Sequence, residues 1–231
     1  MSATRTLAIV PVKALGQAKR RLSSVLPDAA RQRLMLTMLE DVLGALAGVA
    51  CVDGIAVVTP DERVAALARA AGAIVVPEPG AGELNAAVAA GVAFAVSHGA
   101  VQALIVPADV PLATSEEIAA LVRSRGSQPG VTLAPAHDGG GTNGLLLAPP
   151  GAFSPGYGPG SYVQHLSQAM ARRVDLNVVH LPGLARDIDE PADLLLLAAA
   201  KAGMTDRYDF LSAHGARVGG APPRPTIAEE Q

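Results

Sequence analysis

The sequence predicts an α/β protein with one doubly wound, mainly parallel sheet and a strand pair inserted near the end of that sheet. Two observations lead to this prediction. Short runs dense in Val, Ile and Leu show little alternation of polar and apolar residues, which is typical of strands buried on both faces. Between these runs lie longer Ala-rich segments whose apolar residues recur at helical spacing. A parallel sheet with helices on both faces has this pattern.

The apolar runs are predicted as strands because each is short and is followed by Gly, Pro or polar residues. In chain order they are Leu7–Val12, Gly54–Thr59, Ala73–Pro77, Ala103–Pro107, Val131–Pro135, Gly144–Ala148 and Asn177–Leu181. The fifth and sixth runs follow one another without a helical segment between them. We therefore expect these two to form the inserted strand pair.

The periodic segments are predicted as helices, and several have clear end signals. In chain order they are Asp28–Leu46, Asp61–Ala71, Glu83–Ser97, Thr114–Arg123, Ser161–Arg172 and Pro191–Lys201. Gly48 follows the first helix as a stop signal. Thr114 and Ser161 are the expected N-caps of the fourth and fifth helices. Pro191 lies in the first turn of the last helix, where its missing N–H costs nothing.

The composition limits the class of protein. The chain has 231 residues, half of them hydrophobic, which fits one large domain with an aliphatic core, since Trp is absent. We expect residues 1–214 to form this domain and residues 215–231, rich in Gly and Pro, to form a disordered tail. The formal net charge of −3 argues against a general nucleic-acid binder.

The sequence also favours a cytoplasmic protein without a membrane partner. Cys51 is the single cysteine, so no disulfide within the chain is possible and nothing argues for secretion. The first apolar stretch is too short for a signal peptide, and the longest apolar runs are far below the length of a membrane span. We therefore expect no membrane partner.

A loop rich in cations follows the first predicted strand. It carries Lys13, Lys19, Arg20 and Arg21, but it contains neither a P-loop nor a G-x-G-x-x-G fingerprint. In a doubly wound sheet, ligands bind at the carboxyl ends of the strands. The loop is therefore either a binding site for a polyphosphate or a solvated surface turn.

Acidic side chains follow two other predicted strands. Asp109 lies between Pro107 and Pro111, which stiffen its turn, and Asp187 and Asp189 precede the last helix. Mg²⁺ prefers one or two carboxylates together with substrate phosphates, so these residues are candidate metal ligands. The alternative is structural, since Asp109 could cap a turn and either Asp189 or Glu190 could cap the helix.

Glycine-rich loops supply a third kind of candidate. The segments His137–Gly144 and Gly156–Tyr162 contain runs of Gly, whose backbone N–H groups can converge on an anion, although plain turns look the same. A third segment, Gly80–Asn85, could receive a flat base or could simply begin a helix. The histidines lack metal-ligand spacing and no G-x-S-x-G motif occurs, so zinc and serine-hydrolase sites are poor hypotheses.

Taken in order, the motifs VPVKALGQAKRRL, LNAAV, PADVPL, GGTNGLLL, GPGSY and DIDEPADL resemble one known family. It is the 2-phospholactate / phosphoenolpyruvate guanylyltransferase family of coenzyme F-420 biosynthesis, and the resemblance runs from about Leu7 to Leu197. The resemblance implies the Rossmann-like nucleotidyltransferase version of the α/β fold. It also implies transfer of GMP from GTP, with Mg²⁺, to phosphoenolpyruvate, 2-phospho-L-lactate or 3-phosphoglycerate, and release of pyrophosphate.

The resemblance assigns roles residue by residue. For the nucleotide, it implies Lys13, Lys19 and Arg21 as the cations that bind the triphosphate, and Asn85 as a further contact. For the metal, it implies Asp109 and Asp187 as Mg²⁺ ligands, with Asp189 second. For the acid, it implies a cradle formed by Thr142, Gly158 and Ser161. Lys19 and Asp109 would then be the catalytic residues. The product would pass to a downstream transferase. The run Gly139–Gly141 has more glycines than the family usually shows, so the identity of the acid stays open.

Two other functions remain open at this stage. One is a related enzyme, a nucleotidyltransferase of the molybdopterin type or one that activates a sugar phosphate. The first loop argues against it, because it has Val-Lys where such enzymes have a glycine-rich start. The other is a non-catalytic GTP-binding regulator, which would bind the nucleotide without releasing pyrophosphate.

Overall fold

Seven strands form one sheet in the computed structural model, which describes residues 5–78, 83–125 and 128–214. The strands are β1 Thr6–Pro11, β2 Gly54–Thr59, β3 Ile74–Pro77, β4 Gln102–Ile105, β5 Gly130–Pro135, β6 Thr142–Ala148 and β7 Leu176–Val178. The helices are α1 Asp28–Ala47, α2 Glu62–Ala70, α3 Leu84–Ser97, α4 Ser115–Arg123, α5 Ser161–Ala171 and α6 Pro191–Lys201. The 3-10 segments are Leu15–Gln17, Arg20–Ser24 and Asp206–His214.

This arrangement confirms the predicted fold class and the predicted order of strands and helices. The boundaries differ in small ways that have physical reasons. Strand β4 ends before Pro107, which has no N–H to donate to the ladder. The predicted N-cap of α5 is wrong, because Gly160 takes that position with a left-handed φ of 71° and Ser161 becomes the first helical residue. The predicted tail, and Gly80 and Gly82, lie outside the described residues.

The strand order is β3-β2-β1-β4-β6-β5-β7, and β6 runs antiparallel to both of its neighbours. The other strands are parallel, so their carboxyl ends share one edge of the sheet. From β1 the chain proceeds outward through β2 and β3, and then crosses to the opposite side of β1 to form β4. The switch point of this topology therefore lies between β1 and β4, where doubly wound proteins bind their ligands.

Helices cover both faces of the sheet. On one face α1, α2, α4 and α6 pack on alternate strand residues such as Ala8 and Val10. On the other face α3 and α5 pack on the residues between them, such as Leu7 and Ile9. Because both faces are buried, β1 is apolar at nearly every position, as the sequence pattern indicated. Within the described ranges, no helix has both the length and the apolar character that crossing a membrane requires.

A buried histidine links the inserted strand pair to helix α5. The N–H of Gly156 donates to Nε2 of His165 at 3.1 Å, and Nδ1 of the ring lies 3.0 Å from the hydroxyl oxygen of Thr142. Since Nε2 accepts, the proton of the neutral ring is assigned to Nδ1, which donates to Thr142. Burial lowers the pKa of His165 to about 4, so the ring is neutral at physiological pH.

Helix α3 lies close enough to the sheet that only glycine fits at one position. A Cβ on Gly91 would lie 2.3 Å from Cγ2 of Ile9, whereas a Cβ on Gly44 of α1 would meet no atom within 4 Å. We expect Gly91→Ala to lower the free energy of unfolding by about 1–3 kcal/mol through overpacking. Gly44→Ala is the matched control and should raise it by about 0.5–1 kcal/mol. Denaturant unfolding measures both, and equal effects would contradict the close approach of α3.

The buried His165 should make stability depend on pH. Its pKa in the folded chain lies below the ordinary value of 6.5. Above pH 6.5 the ring is neutral in the folded chain and its contribution to the free energy of unfolding is fully present. As the pH falls toward 4, the unfolded chain takes up a proton that the folded chain does not, so this contribution is lost. We expect a loss of about 3 kcal/mol over this range, following 1.36 kcal/mol for each pKa unit. Denaturant unfolding should show this loss in the wild type and in His98→Gln, but not in His165→Gln; the same loss in His165→Gln would contradict the assignment.

Candidate active site

The loop between β1 and α1 is fixed to the protein by buried side chains and by one carboxylate. Leu15 and Leu22 are fully buried, and Oδ2 of Asp61 accepts a hydrogen bond from the backbone N–H of Leu15 at 2.9 Å. The other oxygen of Asp61 accepts from the N–H of Arg63 and caps α2. One acid therefore anchors both a helix and the basic loop. The sequence indicated only the helix start.

Lys19 joins this loop to two of the predicted metal ligands. Its Nζ donates to Oδ2 of Asp109 at 2.6 Å and to Oδ1 of Asp189 at 2.7 Å, and its side chain is only 5 % exposed. The backbone of Lys19 is left-handed, with φ 50° and ψ 45°, which is uncommon for a residue other than glycine. In this arrangement the ammonium group lies between the acids rather than in solvent.

The surroundings keep Lys19 charged. Burial of the ammonium group would lower the pKa of Lys19, but the charges and hydrogen bonds of Asp109 and Asp189 outweigh burial and raise it above its usual value. Lys19 therefore stays a cation at any pH at which the protein would be assayed. A buried cation of this kind needs both of its partners, because removal of either leaves an uncompensated charge.

The two acidic segments are held together by their backbones. The N–H of Ile188 donates to the carbonyl oxygen of Asp109 at 3.0 Å. Upstream of Asp187, the carboxylate of Glu117 on α4 accepts from the N–H groups of Gly183 at 2.7 Å and Leu184 at 3.2 Å. The segment that carries Asp187 is therefore fixed against the turn that carries Asp109.

Asp189 is not the cap of α6. The N-cap is Glu190, which forms a capping box with Asp193. Oδ2 of Asp189 also lies 3.8 Å from Nη1 of the exposed Arg21. The carboxylate of Asp189 is thus left to face the basic loop.

Asp187 lies in an environment that disfavours the charged form of its carboxyl group. Burial raises the pKa of its carboxyl group, the charges of Asp109 and Asp189 raise it further, and a hydrogen bond from Nδ2 of Asn143 at 3.0 Å opposes the shift. Asn143 reaches Asp187 because a bulge in β6 leaves it without a counterpart on β5. His137, from the first glycine-rich loop, lies 4.0 Å from the same oxygen of Asp187.

A cleft of about 440 Å³ opens at the switch point of the sheet. Its wall is formed by the basic loop, the ends of β1 and β4, and the start of α3. The lining includes Lys13, Lys19, Arg20, Arg21, Pro11, Pro107, Asp109, Asp189, Leu84 and Tyr157. The cleft is thus cationic along the loop and acidic at the carboxyl end of β4, so it can hold an anion next to paired carboxylates.

The glycine-rich loops meet beside this cleft. The N–H of Tyr162 contacts the carbonyl oxygen of Gly140 at 3.4 Å, and His165 links Thr142 to Gly156. These contacts place the two loops against each other. Thr142 and Ser161 are both buried at this junction.

Asn85 connects the start of α3 to the second glycine-rich loop. Its Nδ2 donates to the carbonyl oxygen of Tyr157 at 3.0 Å, and its Oδ1 accepts from the N–H of Tyr157 at 2.6 Å. The hydroxyl of Tyr157 is buried, has no partner among the described residues, and has its pKa raised by that burial. It is therefore a donor that no described residue uses.

The structure brings the predicted cations, Asp109, Asp189 and the start of α3 around one cleft. Asp187 interacts with these acids but does not line the cleft, and both glycine-rich loops lie beside it. Whether each residue has the implied role stays a prediction. Sequence reasoning did not assign a role to Glu117, Asp61, His165 or Tyr157. Glu117 resembled an ordinary acid in the first turn of a helix, and the other three have no spacing signature.

Solved structures share this fold. A candidate nucleotide-diphospho-sugar transferase from Desulfovibrio desulfuricans superposes with a TM-score of 0.72 at 16% identity, over 91% of this chain and 95% of that one. A nucleotidyl transferase from Methanothermobacter thermautotrophicus superposes with a TM-score of 0.60 at 19% identity, over 87% of this chain and 99% of that one. At these identities the similarity shows the fold alone.

Named relatives are much closer in sequence. A phosphoenolpyruvate guanylyltransferase from Sphaerobacter thermophilus is 42% identical, over 84% of this chain and 92% of that protein. A 3-phospho-D-glycerate guanylyltransferase from Phenylobacterium zucineum is 39% identical, over 85% and 91%. A 2-phospho-L-lactate guanylyltransferase from Methanothermobacter thermautotrophicus is 35% identical, over 82% of each.

A family profile agrees with these relatives. The profile of the family described as "Guanylyl transferase CofC like" matches residues 6–220, which include every strand and helix of the described fold. The chain therefore belongs to the guanylyl transferase CofC-like family, which confirms the resemblance seen in its motifs and makes it a nucleotidyltransferase.

Proposed function

We propose that this chain transfers GMP from GTP to the phosphate of a small phosphorylated carboxylic acid and releases pyrophosphate, in the cytoplasm, as a step of coenzyme F-420 biosynthesis. The observation that carries the proposal is the contact of Lys19 with Asp109 and Asp189 beside a cleft lined by further cations. The named relatives act on three acids that share a phosphate and a carboxylate. The substrate class is therefore supported more strongly than any one acid.

The reaction needs no general base. A phosphate oxygen of the acid attacks the α-phosphorus of GTP, and the bond between the α-phosphorus and the bridging oxygen breaks, so pyrophosphate leaves with the electron pair. Because the second pKa of a phosphate monoester is about 6, the attacking oxygen is already ionised at neutral pH. The chemical difficulty is to bring two anions together, and this is an electrostatic task.

The basic loop is suited to the nucleotide. Lys13 and Arg21 are exposed side chains on the wall of the cleft, so they can reach the triphosphate. Lys19 is held against Asp109 and Asp189, and in our proposal it places positive charge next to the reacting phosphorus. Asn85 would contact the nucleotide from the start of α3, although its amide is bonded to the backbone of Tyr157.

The acids fit a divalent cation. Asp109 and Asp189 share the buried ammonium group of Lys19, and the charge of Asp187 interacts with both of these acids, so the cluster carries excess negative charge. Among the described residues, no group of three His, Cys, Asp or Glu is arranged to hold a metal by itself. Mg²⁺ usually takes one or two carboxylates and completes its shell with phosphate oxygens. Asp109 and Asp187, with Asp189 second, would hold it, and it would supply charge neutralisation between the two substrates.

The glycine-rich loops are suited to the acid. Thr142, Gly158 and Ser161 belong to the two loops that meet beside the cleft, and Ser161 opens a helix of 11 residues. The N-terminus of such a helix favours anions through its free N–H groups and its dipole. The product would be an activated phosphoanhydride, which a downstream transferase would have to consume.

Removal of the Asp109 charge should slow the reaction strongly. We expect Asp109→Asn to lower kcat at least ~100-fold, by analogy with the loss of one preorganised electrostatic group elsewhere. A pyrophosphate-release assay measures this with GTP, Mg²⁺ and each of phosphoenolpyruvate, 2-phospho-L-lactate and 3-phosphoglycerate, and with ATP and a sugar phosphate as the alternative pair. Glu62→Gln, on the exposed face of α2, is the control and should keep wild-type kcat. Normal turnover by Asp109→Asn would contradict the metal assignment, and wild-type turnover only with ATP and a sugar phosphate would contradict the proposed substrates.

Ser161 should affect the acid and not the nucleotide. Its side chain is 2 % exposed at the first turn of α5, and no hydrogen bond from its hydroxyl group to a described residue is observed. We expect Ser161→Ala to raise the KM for the acid about 10-fold, the effect of one lost hydrogen bond to a charged group, with the KM for GTP unchanged. Ser167→Ala, at an exposed position of the same helix, should change neither constant. A rise in the KM for GTP alone would place Ser161 on the nucleotide side.

A further inference from the structure

Glu78 is an unexplained charged group at the carboxyl end of β3. Both oxygens of its carboxylate are shielded from solvent, and neither has a hydrogen-bond partner among the described residues. Arg31 and Arg125 each have one buried unpaired nitrogen but make hydrogen bonds through their other nitrogens, whereas neither carboxylate oxygen of Glu78 is paired with a described residue. A buried carboxylate without a partner is costly, so a ligand that supplied donors would be bound favourably.

Glu78 is not among the residues that line the cleft, but its strand lies close to them along the sheet. Val76 of β3 pairs with Val58 of β2, and Val58 pairs with Pro11, which lines the cleft. Since neighbouring strands are about 4.8 Å apart, β3 lies roughly 10 Å from β1 at this edge of the sheet. Glu78 is two residues beyond Val76, and the helix that follows it begins at Leu84, which also lines the cleft.

The direction of the nucleotide follows from the proposed function, on which this inference rests. The acids and the glycine-rich loops lie on the β4 and β6 side of β1. With the reacting phosphorus on that side, as the proposed function has it, the rest of the nucleotide would extend from the basic loop toward β2 and β3. The base would then arrive at the end of β3, where Glu78 is located.

We propose that Glu78 selects guanine. The Watson–Crick edge of guanine presents two adjacent donors, N1–H and N2–H, and a carboxylate accepts both at once. Adenine presents an acceptor at N1, which a carboxylate repels. A carboxylate at this position therefore binds guanine and rejects adenine, and guanine in turn supplies donors to a group that has no partner among the described residues.

Binding of nucleotides without the acid tests this proposal, since no GMP transfer can then occur. Isothermal titration of the full chain with GTP, ITP and XTP in Mg²⁺ compares three bases that carry an amino group, a hydrogen and an oxygen at C2. The wild type should bind ITP about 10-fold more weakly than GTP, because hypoxanthine lacks the N2–H donors. Glu78→Gln should weaken GTP about 10- to 100-fold and strengthen XTP, because the amide accepts from N1–H and donates to the C2 oxygen of xanthine.

The control and the contradicting outcomes are specific. Glu83→Gln makes the same change at an exposed residue that makes no capping hydrogen bond, and it should keep the wild-type order of affinities. Equal affinity of the wild type for GTP, ITP and XTP would overturn the proposal even if Glu78→Gln failed to fold, as would an unchanged order in that variant. Failure of the proposed function would be seen separately, as binding of GTP without pyrophosphate release with any acid.

Discussion

The contact of the Lys19 ammonium group with Asp109 and Asp189 is the interaction on which the rest of the site depends. It joins the loop after β1 to a turn 90 residues away and to a segment 170 residues away. A buried cation cannot be left unpaired, so the three segments must come together whenever the chain is folded. The cationic wall of the cleft and its acidic end meet at this contact.

Most of the fold could be predicted from the sequence, because the parallel strands are buried on both faces. Unbroken apolar runs such as that of β1 result directly from this burial, and the N-cap Thr114 and the first-turn Pro191 mark helix starts by local chemistry. The order of strands in the sheet and the antiparallel direction of β6 were less accessible, since pairing over long distances has no local signal. The N-cap of α5 was misassigned because a left-handed glycine replaced the expected hydroxyl.

The candidate site was predictable to the extent that it follows from topology. The carboxyl ends of parallel strands share an edge, so a basic loop and acids that follow different strands were expected to meet there. The supporting residues were not predictable. Asp61 and Glu117 act on backbone N–H groups far along the chain, and the bulge that directs Asn143 to Asp187 exists only in the paired strands. Glu78, which precedes the stretch around Asn85, was not predicted either. Its carboxylate is buried without a partner among the described residues, and no sequence pattern indicates this.

The left-handed backbone of Lys19 has an evolutionary consequence. Glycine and asparagine tolerate this conformation best, but neither would bring a positive charge to the acids. Arginine would bring the charge, yet its wide planar group differs in shape from the compact ammonium that fits between two carboxylates. No other natural residue therefore combines a left-handed backbone with a compact positive charge at position 19. A substitution there would be tolerated only together with changes at its two partners, Asp109 and Asp189.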